Sequence, residues 1–521
     1  MEGRKARQSN KEQLGRIGQI EAASTHISAP PTSLSGYTLA RIAAALIGGL
    51  ILRLWMWQAF PQTNGDALIY GNIATALLKH HQFALIGSDG SLNPTLIRLP
   101  GYPIFLAACF SIFGVANYSA VGWLQIPLEL FSCLLLADFT RRIWNERAAL
   151  NTLWLSALCP FTAVFTTAPL TESLTFDCIA LALWSLHRYR TTPSRASNYG
   201  EPTKVGAPHL EKMWALRAKR EDRLYLALFT LAISSAALLR PDGALVAFAL
   251  WPILLIPGKG LSHFTLHTPH LRSALAVAVL SVAPFAAWTL RNELTFHTFE
   301  PLAPRYATDP GEDPHLGFQH WVKTWCLDFT CTYEIYWNVP DDHADLDALP
   351  TWAWDSEQQH QQTAKLFADY NSNQQITPSI DARFQQLADT RAHDHPLLVH
   401  IGLPLGRLAD MLFRPRVENL TIDLRWWQYS HHYAETKFSY SYAALNLILI
   451  ALGLYAFRYR PPYWQCFAAY FLLRSALLAT IEAPETRYTL EYFPMLFILG
   501  GITLRQIFTR STKLTPIEKA D

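Results

Sequence analysis

Ten apolar runs limit what this chain can fold into more tightly than any motif in it. They fall at about Leu39–Trp57, Ala120–Phe139, Ala148–Thr167, Leu174–His187, Leu224–Leu239, Ala244–Pro257, Ala274–Leu290, Tyr440–Phe457, Trp464–Ile481 and Leu490–Ile507. A helix needs about 20 such residues to cross roughly 30 Å of hydrocarbon. Only helices or closed barrels satisfy their backbone polar groups there. The fourth and sixth runs are short and must borrow flanking residues. Charge is correspondingly scarce: 16% of the 521 residues are Asp, Glu, Lys or Arg, against about 25% in ordinary soluble domains. That composition excludes wholesale disorder, and a net charge of +2 gives no case for a nucleic-acid partner. The predicted fold class is an all-α polytopic membrane protein with about ten transmembrane helices and membrane lipids around it.

An eleventh apolar run, Gly101–Val115, either crosses or lies along the interface, and Lys and Arg decide between the two. Cytoplasmic loops are rich in both residues. Six basic segments qualify: the N-terminal tail, Arg141–Arg147, Arg188–Arg223, Lys259–Arg272, Arg458–Arg460 and the C-terminal tail. The Arg188–Arg223 loop carries nine Lys/Arg against four Asp/Glu. All six share one side only if Gly101–Val115 does not cross. The reading is therefore a multi-pass protein of the plasma or inner membrane, with both termini cytoplasmic and an interfacial helix in a long first outer loop.

The domain layout follows from that sidedness. Residues 1–35 form a disordered cytoplasmic tail, and 36–290 an N-terminal transmembrane module whose first outer loop is 58–119. Residues 291–439 form a soluble extracytoplasmic domain of mixed structure between the seventh and eighth spans. Residues 440–507 are C-terminal transmembrane helices and 508–521 a cytoplasmic tail. Asp309–Glu357 holds eleven acidic residues and one basic residue, Lys323, which suits an outer surface. Cys326 and Cys331 lie on that oxidising side. Their spacing allows a disulfide and equally two buried thiols.

Chemistry-bearing residues gather at the outer ends of the runs. Asp66 begins a helical pattern with Tyr70 one turn on, and reads either as a cap of that helix or as a functional carboxylate. Arg98 precedes Pro100-Gly101-Tyr102-Pro103, and reads either as a snorkelling side chain or as a phosphate ligand with paired donors. Glu172 starts the fourth span, and Arg240-Pro241-Asp242 turns between the fifth and sixth. Arg291 ends the seventh, Glu485-Thr486-Arg487-Tyr488 joins the last two, and Arg53 lies toward the outer end of the first. Ionisable groups at membrane depth usually face a cavity or one another. Carboxylates and arginines converging on one face suit a negatively charged lipid headgroup.

In order and sidedness these motifs resemble the C-type membrane glycosyltransferases of the protein O-mannosyltransferase and aminoarabinose-transferase group, often called family 39. The resemblance rests on Asp66, Arg98…Pro100-Gly101-Tyr102-Pro103, Arg141-Arg142-Ile143-Trp144, Leu170-Thr171-Glu172-Ser173, Arg240-Pro241, Trp288…Arg291-Asn292 and Glu485-Thr486-Arg487-Tyr488. It covers most of Leu39–His187 well and the later spans more weakly. It implies transfer of a sugar from a polyprenyl-phosphate carrier to a hydroxyl acceptor (protein, lipid or glycan) on the outer face, placing the catalytic module in 36–290. By resemblance Asp66 is the first-loop acid, Arg98 the lipid-phosphate ligand and Glu172 the second acid. Many relatives carry Asp-Glu in the first loop, whereas this chain has Asp66-Ala67. No cofactor is firmly implied, and a divalent metal stays open.

The residue types fit an inverting transfer. A carboxylate takes the proton of the attacking hydroxyl, and arginines stabilise the leaving phosphate. Asp66 is the expected base, with Glu172 orienting the acceptor or a charged partner. Arg98 leads the expected substrate ligands, followed by Arg487, Tyr488 and Tyr70, then Arg53, Arg240 and Arg291. A ligase or polymerase of lipid-linked glycans has a similar large outer loop. A secondary transporter should instead carry ionisable or broken spans at the midplane.

Overall fold

In the computed structural model of the protein, residues 36–61, 63, 65–192, 208–256, 268–339, 342–428 and 431–511 are described. The expectations for residues 1–35, 193–207, 257–267 and 512–521 lie outside them. The chain divides into Met1–Ala44 and Ala45–Asp521. The described part of the first unit opens helix α1 (Gly36–Ala59), and all that follows concerns the second.

Each of the ten apolar runs is helical. After α1 come α2 (Asp66–His80), α3 (Gly101–Phe113), α4 (Tyr118–Ile143), α5 (Glu146–Ala157), α6 (Pro160–Thr166) and α7 (Thr171–Thr191). They are followed by α8 (Pro208–Leu239), α9 (Ala244–Leu250) and α10 (Thr268–Phe296). Six helices among the described residues are long and apolar enough to cross a membrane, or up to eight if each of two bent pairs is one span. The chain is an integral membrane protein.

The runs that fall short of a straight span have physical reasons. The third breaks into α5 and α6, bent by 54°, where Pro160 begins α6 without an N–H to donate. The fourth, α7, has polar residues at both ends. The sixth gives α9 and then a 3₁₀ segment, Trp251–Leu255, too short together for hydrocarbon thickness, and the ninth gives a helix of only 15 residues, Trp464–Leu478.

Residues 291–439 correct the expectation of mixed structure, because their described part contains helices and no strand. Its helices are α11 (Leu316–Lys323), α12 (Glu357–Asn371), α13 (Pro378–Asp394) and α14 (Leu403–Phe413). They enclose a core built on Trp321, Trp325, Phe367, Tyr370 and Phe384, and Cys326 and Cys331 are disulfide-bonded. The second bent pair is α13 with Leu398–Phe413, turned by 102°. The closing helices are α15 (Tyr433–Tyr455), α16 (Trp464–Leu478) and α17 (Phe493–Ser511).

The sheet among the described residues lies in the first loop, as a hairpin of β1 (Ala84–Ile86) and β2 (Leu92–Pro94) with Ala84 opposite Pro94. Asn72 on α2 pins it, donating to the Ile86 carbonyl at 3.0 Å and accepting from the Ile86 N–H at 2.7 Å. Helix α3 follows directly. A Cβ on Gly101 would sit 2.6 Å from the Leu238 carbonyl oxygen, so glycine lets the start of α3 abut the end of α8. That contact brings the chain just after Arg98 close to the chain just before Arg240.

Candidate active site

Asp66 is the first residue of α2, and the capping position belongs to Gly65, at φ +49°. The Asp66 carboxylate instead reaches across the fold. Its Oδ1 accepts from Arg98 Nη2 at 2.6 Å, and its Oδ2 from Arg487 Nη2 at 2.9 Å. These partners lie 32 and 421 residues away in the chain. Arg98 also donates to the Ile97 carbonyl at 3.0 Å, and its guanidinium lies 5.8 Å from the Tyr70 ring centroid. Tyr70 in turn meets Tyr102 edge to face at 5.1 Å.

The loop carrying Arg98 is strapped from the side. Arg291 donates to the carbonyls of Thr95 at 2.8 Å and Phe83 at 2.7 Å, and Asp309 accepts from the Leu96 N–H at 2.7 Å. Arg291 therefore stands outside the carboxylate cluster and holds the loop in place.

Beyond Arg487 the network continues inward. Arg487 Nε lies 2.5 Å from Glu485 and 3.8 Å from Glu172. Glu172 also binds Arg240 at 2.8 Å, and Arg240 lies 3.1 Å from Asp242 and 3.6 Å from Glu491. Arg474, on α16, closes the chain with Glu491 at 2.5 Å and Asp242 at 3.0 Å. The Tyr488 hydroxyl hydrogen-bonds Glu485. Arg240 and Arg487 lie 5.2 and 5.4 Å from its ring centroid. Four arginines thus share five carboxylates.

Exposure grades along this network. Asp66 retains 26% of its side-chain surface and Arg98 and Arg487 18% each, against 2% for Glu172, 1% for Glu491 and 0% for Arg474. A substrate can therefore reach the Asp66 end first. Burial pushes the Asp66 carboxyl upward in pKa, but Arg487 and then Arg98 outweigh it and hold the group well below the usual carboxylate range. Asp66 is ionised at neutral pH.

No family model and no curated protein matches this chain. Among solved structures it is similar to the Archaeoglobus fulgidus oligosaccharyltransferase tethered with an acceptor peptide. There the TM-score is 0.48 and the identity 12%, over 93% of this chain and 51% of that one. The same archaeal protein, AglB, with an inhibitory peptide and a dolichol-phosphate matches at TM-score 0.43 and 12% identity, over 93% and 52%. ArnT from Cupriavidus metallidurans bound to undecaprenyl phosphate matches at TM-score 0.34 and 16% identity, over 93% and 82%. The chain spans about half the length of the archaeal protein.

Arg53 falls elsewhere. It is wholly buried between α1 and α4, 2.8 Å from Glu129, and donates to the carbonyls of Ala157 at 2.7 Å and Gly49 at 3.1 Å. Ala157 ends α5 at the break before α6. Arg53 thus satisfies a carbonyl that a broken membrane helix leaves without an intrahelical partner.

Sequence reasoning gave no role to Arg474 or Glu491. Both interrupt apolar runs, and an ionisable residue at membrane depth is itself a functional signal. Asp242 and Glu485 lay inside quoted motifs without an assigned role. Among the described residues, no group of three or more His, Cys, Asp or Glu side chains is arranged to hold a metal ion.

Proposed function

We propose that the protein transfers a sugar from a polyprenyl-phosphate carrier to a hydroxyl acceptor at the Asp66 end of this network, on the extracytoplasmic face. The reading is carried by one observation: a partly exposed carboxylate is clamped by two arginines from distant parts of the chain. Anion-binding donors and a candidate base thus occupy one spot at the end of the membrane helices. The motif order of the sequence supports the same reaction.

In this reading the donor phosphodiester competes with Asp66 for the Nη2 groups of Arg98 and Arg487. The phosphate takes those donors, and the freed carboxylate loses the cations that depress its pKa and becomes a stronger base. The acceptor hydroxyl gives its proton to Asp66 as its oxygen bonds to C1 of the sugar. The bond from C1 to the phosphate oxygen breaks, with inversion at C1. Leaving as a phosphate monoester, the carrier gains negative charge, which the two guanidiniums stabilise in a poorly hydrated site. Glu172 and Glu485 hold Arg487 in position from the buried side.

The test is release of free polyprenyl phosphate from labelled polyprenyl-phosphate sugars by purified protein in liposomes, with hydroxyl acceptors present. Acceptor-dependent release by the parental protein, lost in Asp66→Asn, is the expected result. No release from any donor in a panel of sugars, with well-folded protein, overturns the proposal.

A further inference from the structure

The segment leading into and through α14 has two unlike faces. Leu403, Arg407 and Met411 are buried at 5%, 0% and 0% exposure. The opposite face carries Leu397, Ile401, Leu405, Ala409 and Phe413, spaced four residues apart and all exposed. Leu397 is 74% exposed, Ile401 53% and Leu405 58%. Residues four apart share one helix face, so this is a continuous apolar stripe. Residues 396–413 contain only Arg407 and Asp410 as charged side chains. Both lie off the stripe, and Arg407 turns inward to donate to the carbonyls of Lys323 and Cys326, each at 3.0 Å.

The C-terminal end of α14 is fastened to the membrane helices. The Leu412 carbonyl accepts from Asn446 on α15 at 2.7 Å, and the Met411 carbonyl from Thr489 at 3.3 Å. Met411 also belongs to the same apolar core as the membrane helices. Helix α15 itself exposes Leu447, Ile448 and Leu454 on a segment long and apolar enough to cross a membrane. The stripe on α14 therefore belongs to a helix docked directly against a candidate membrane span. Trp427, Tyr433 and Tyr440, all exposed where the chain enters α15, are the residue types that collect at membrane interfaces.

We infer that Leu397–Phe413 lies in the membrane interface, with Leu397, Ile401, Leu405 and Phe413 among the lipid acyl chains. An amphipathic helix lying in the interface buries its apolar face at the headgroup–acyl boundary. The segment 291–439 is then not a freely soluble domain. It is seated on the bilayer through α14. Directly after the helix, Arg416 donates to the Thr486 carbonyl at 2.8 Å, so the same anchor fixes the strand of chain that presents Glu485 and Arg487.

The experiment places a nitroxide on Ile401→Cys, and in parallel on Leu405→Cys, in full-length protein whose five free cysteines are replaced and which is reconstituted into phosphatidylcholine liposomes. His393→Cys, exposed on α13 across the sharp bend, is the reference. Collision with oxygen relative to a water-soluble nickel chelate should be several times higher at 401 and 405 than at 393. Equal nickel access at all three positions overturns the inference. Spin–spin broadening at 401 that disappears on dilution with unlabelled protein also overturns it, because the stripe would then be covered by a second copy of the chain. The parallel labels keep the test decisive if one variant does not fold.

Discussion

The Arg53–Glu129 pair and the Asp66 network are arginine–carboxylate assemblies built on opposite plans. Arg53 and Glu129 form a closed pair at 0% and 1% exposure, with Arg53 also bonded to two backbone carbonyls. The Asp66 network is open at one end, and Arg487 there divides itself among Asp66, Glu172 and Glu485. Burial of charge is common to both and so does not mark a site. What separates them is whether a cation can change partner. An arginine within reach of three carboxylates at a partly exposed edge can give up one of them to an incoming anion. An arginine sealed between helices, with carbonyls as its other partners, cannot do so without breaking the fold.

Removing one partner from the closed pair should give the largest effect, and it should be one of folding. Arg53→Met leaves Glu129 buried without its cation, which costs about 3–5 kcal/mol by analogy with other broken buried pairs. Thermal unfolding in detergent should show a strong loss, largely restored in Arg53→Met/Glu129→Gln. The protein that does fold should transfer sugar at the parental specific rate. A well-folded Arg53→Met protein with no transfer would erase the distinction drawn between the two assemblies.

Asp66→Asn should do the reverse. It keeps size and most hydrogen bonding but removes the base, so transfer should fall by about 10²-fold or more, while the loss of two ion pairs at a partly exposed edge should lower the unfolding temperature less than Arg53→Met does. Parental turnover in this variant would make Asp66 a structural counter-ion. Glu172→Gln should cost less, since Glu172 reaches substrate only through Arg487 and Arg240.

Arg98 tests partner exchange directly. Loss of a charge-assisted hydrogen bond of about 1.5–3 kcal/mol corresponds to roughly a tenfold to hundredfold effect. Arg98→Ala should show the full loss in the donor dependence of the rate. Arg98→Lys should show a smaller but measurable loss, because an ammonium cannot hold the Ile97 carbonyl and the phosphate at the fixed angles of a guanidinium's two nitrogens. Full activity in Arg98→Lys would reduce Arg98 to a point charge.

The smallest effect concerns pH. In the free protein, burial raises the pKa of Asp66, but Arg487 and Arg98 bring it below the ordinary value. A carboxylate depressed in this way stabilises the fold above about pH 4, and that contribution is lost as pH falls below it. The profile of kcat/KM should therefore show no acid inflection from Asp66 above about pH 4. Arg98→Gln removes one opposing cation while burial remains, so an acid inflection should move upward. Superimposable profiles for the two proteins would argue against Asp66 as the base.

The apolar runs determined a helical membrane protein by themselves, because crossing hydrocarbon requires both length and low charge, and each can be read locally. Asp66, Arg98, Glu172, Arg240 and Arg487 were legible as site candidates for a related reason: charged residues at the ends of such runs stand out against their surroundings. Their pairing was not legible. Asp66 meets Arg487 across 421 residues, and nothing in either local sequence tells a helix cap from a clamped carboxylate. The same blindness put Arg53 among the phosphate ligands, since the sequence shows how far along a helix an arginine lies but not that Glu129 and the Ala157 carbonyl already occupy it. Nor did the sequence show that residues 396–413 are anchored on one face and leave an apolar stripe exposed on the other. Which face meets protein is decided only when the helices pack.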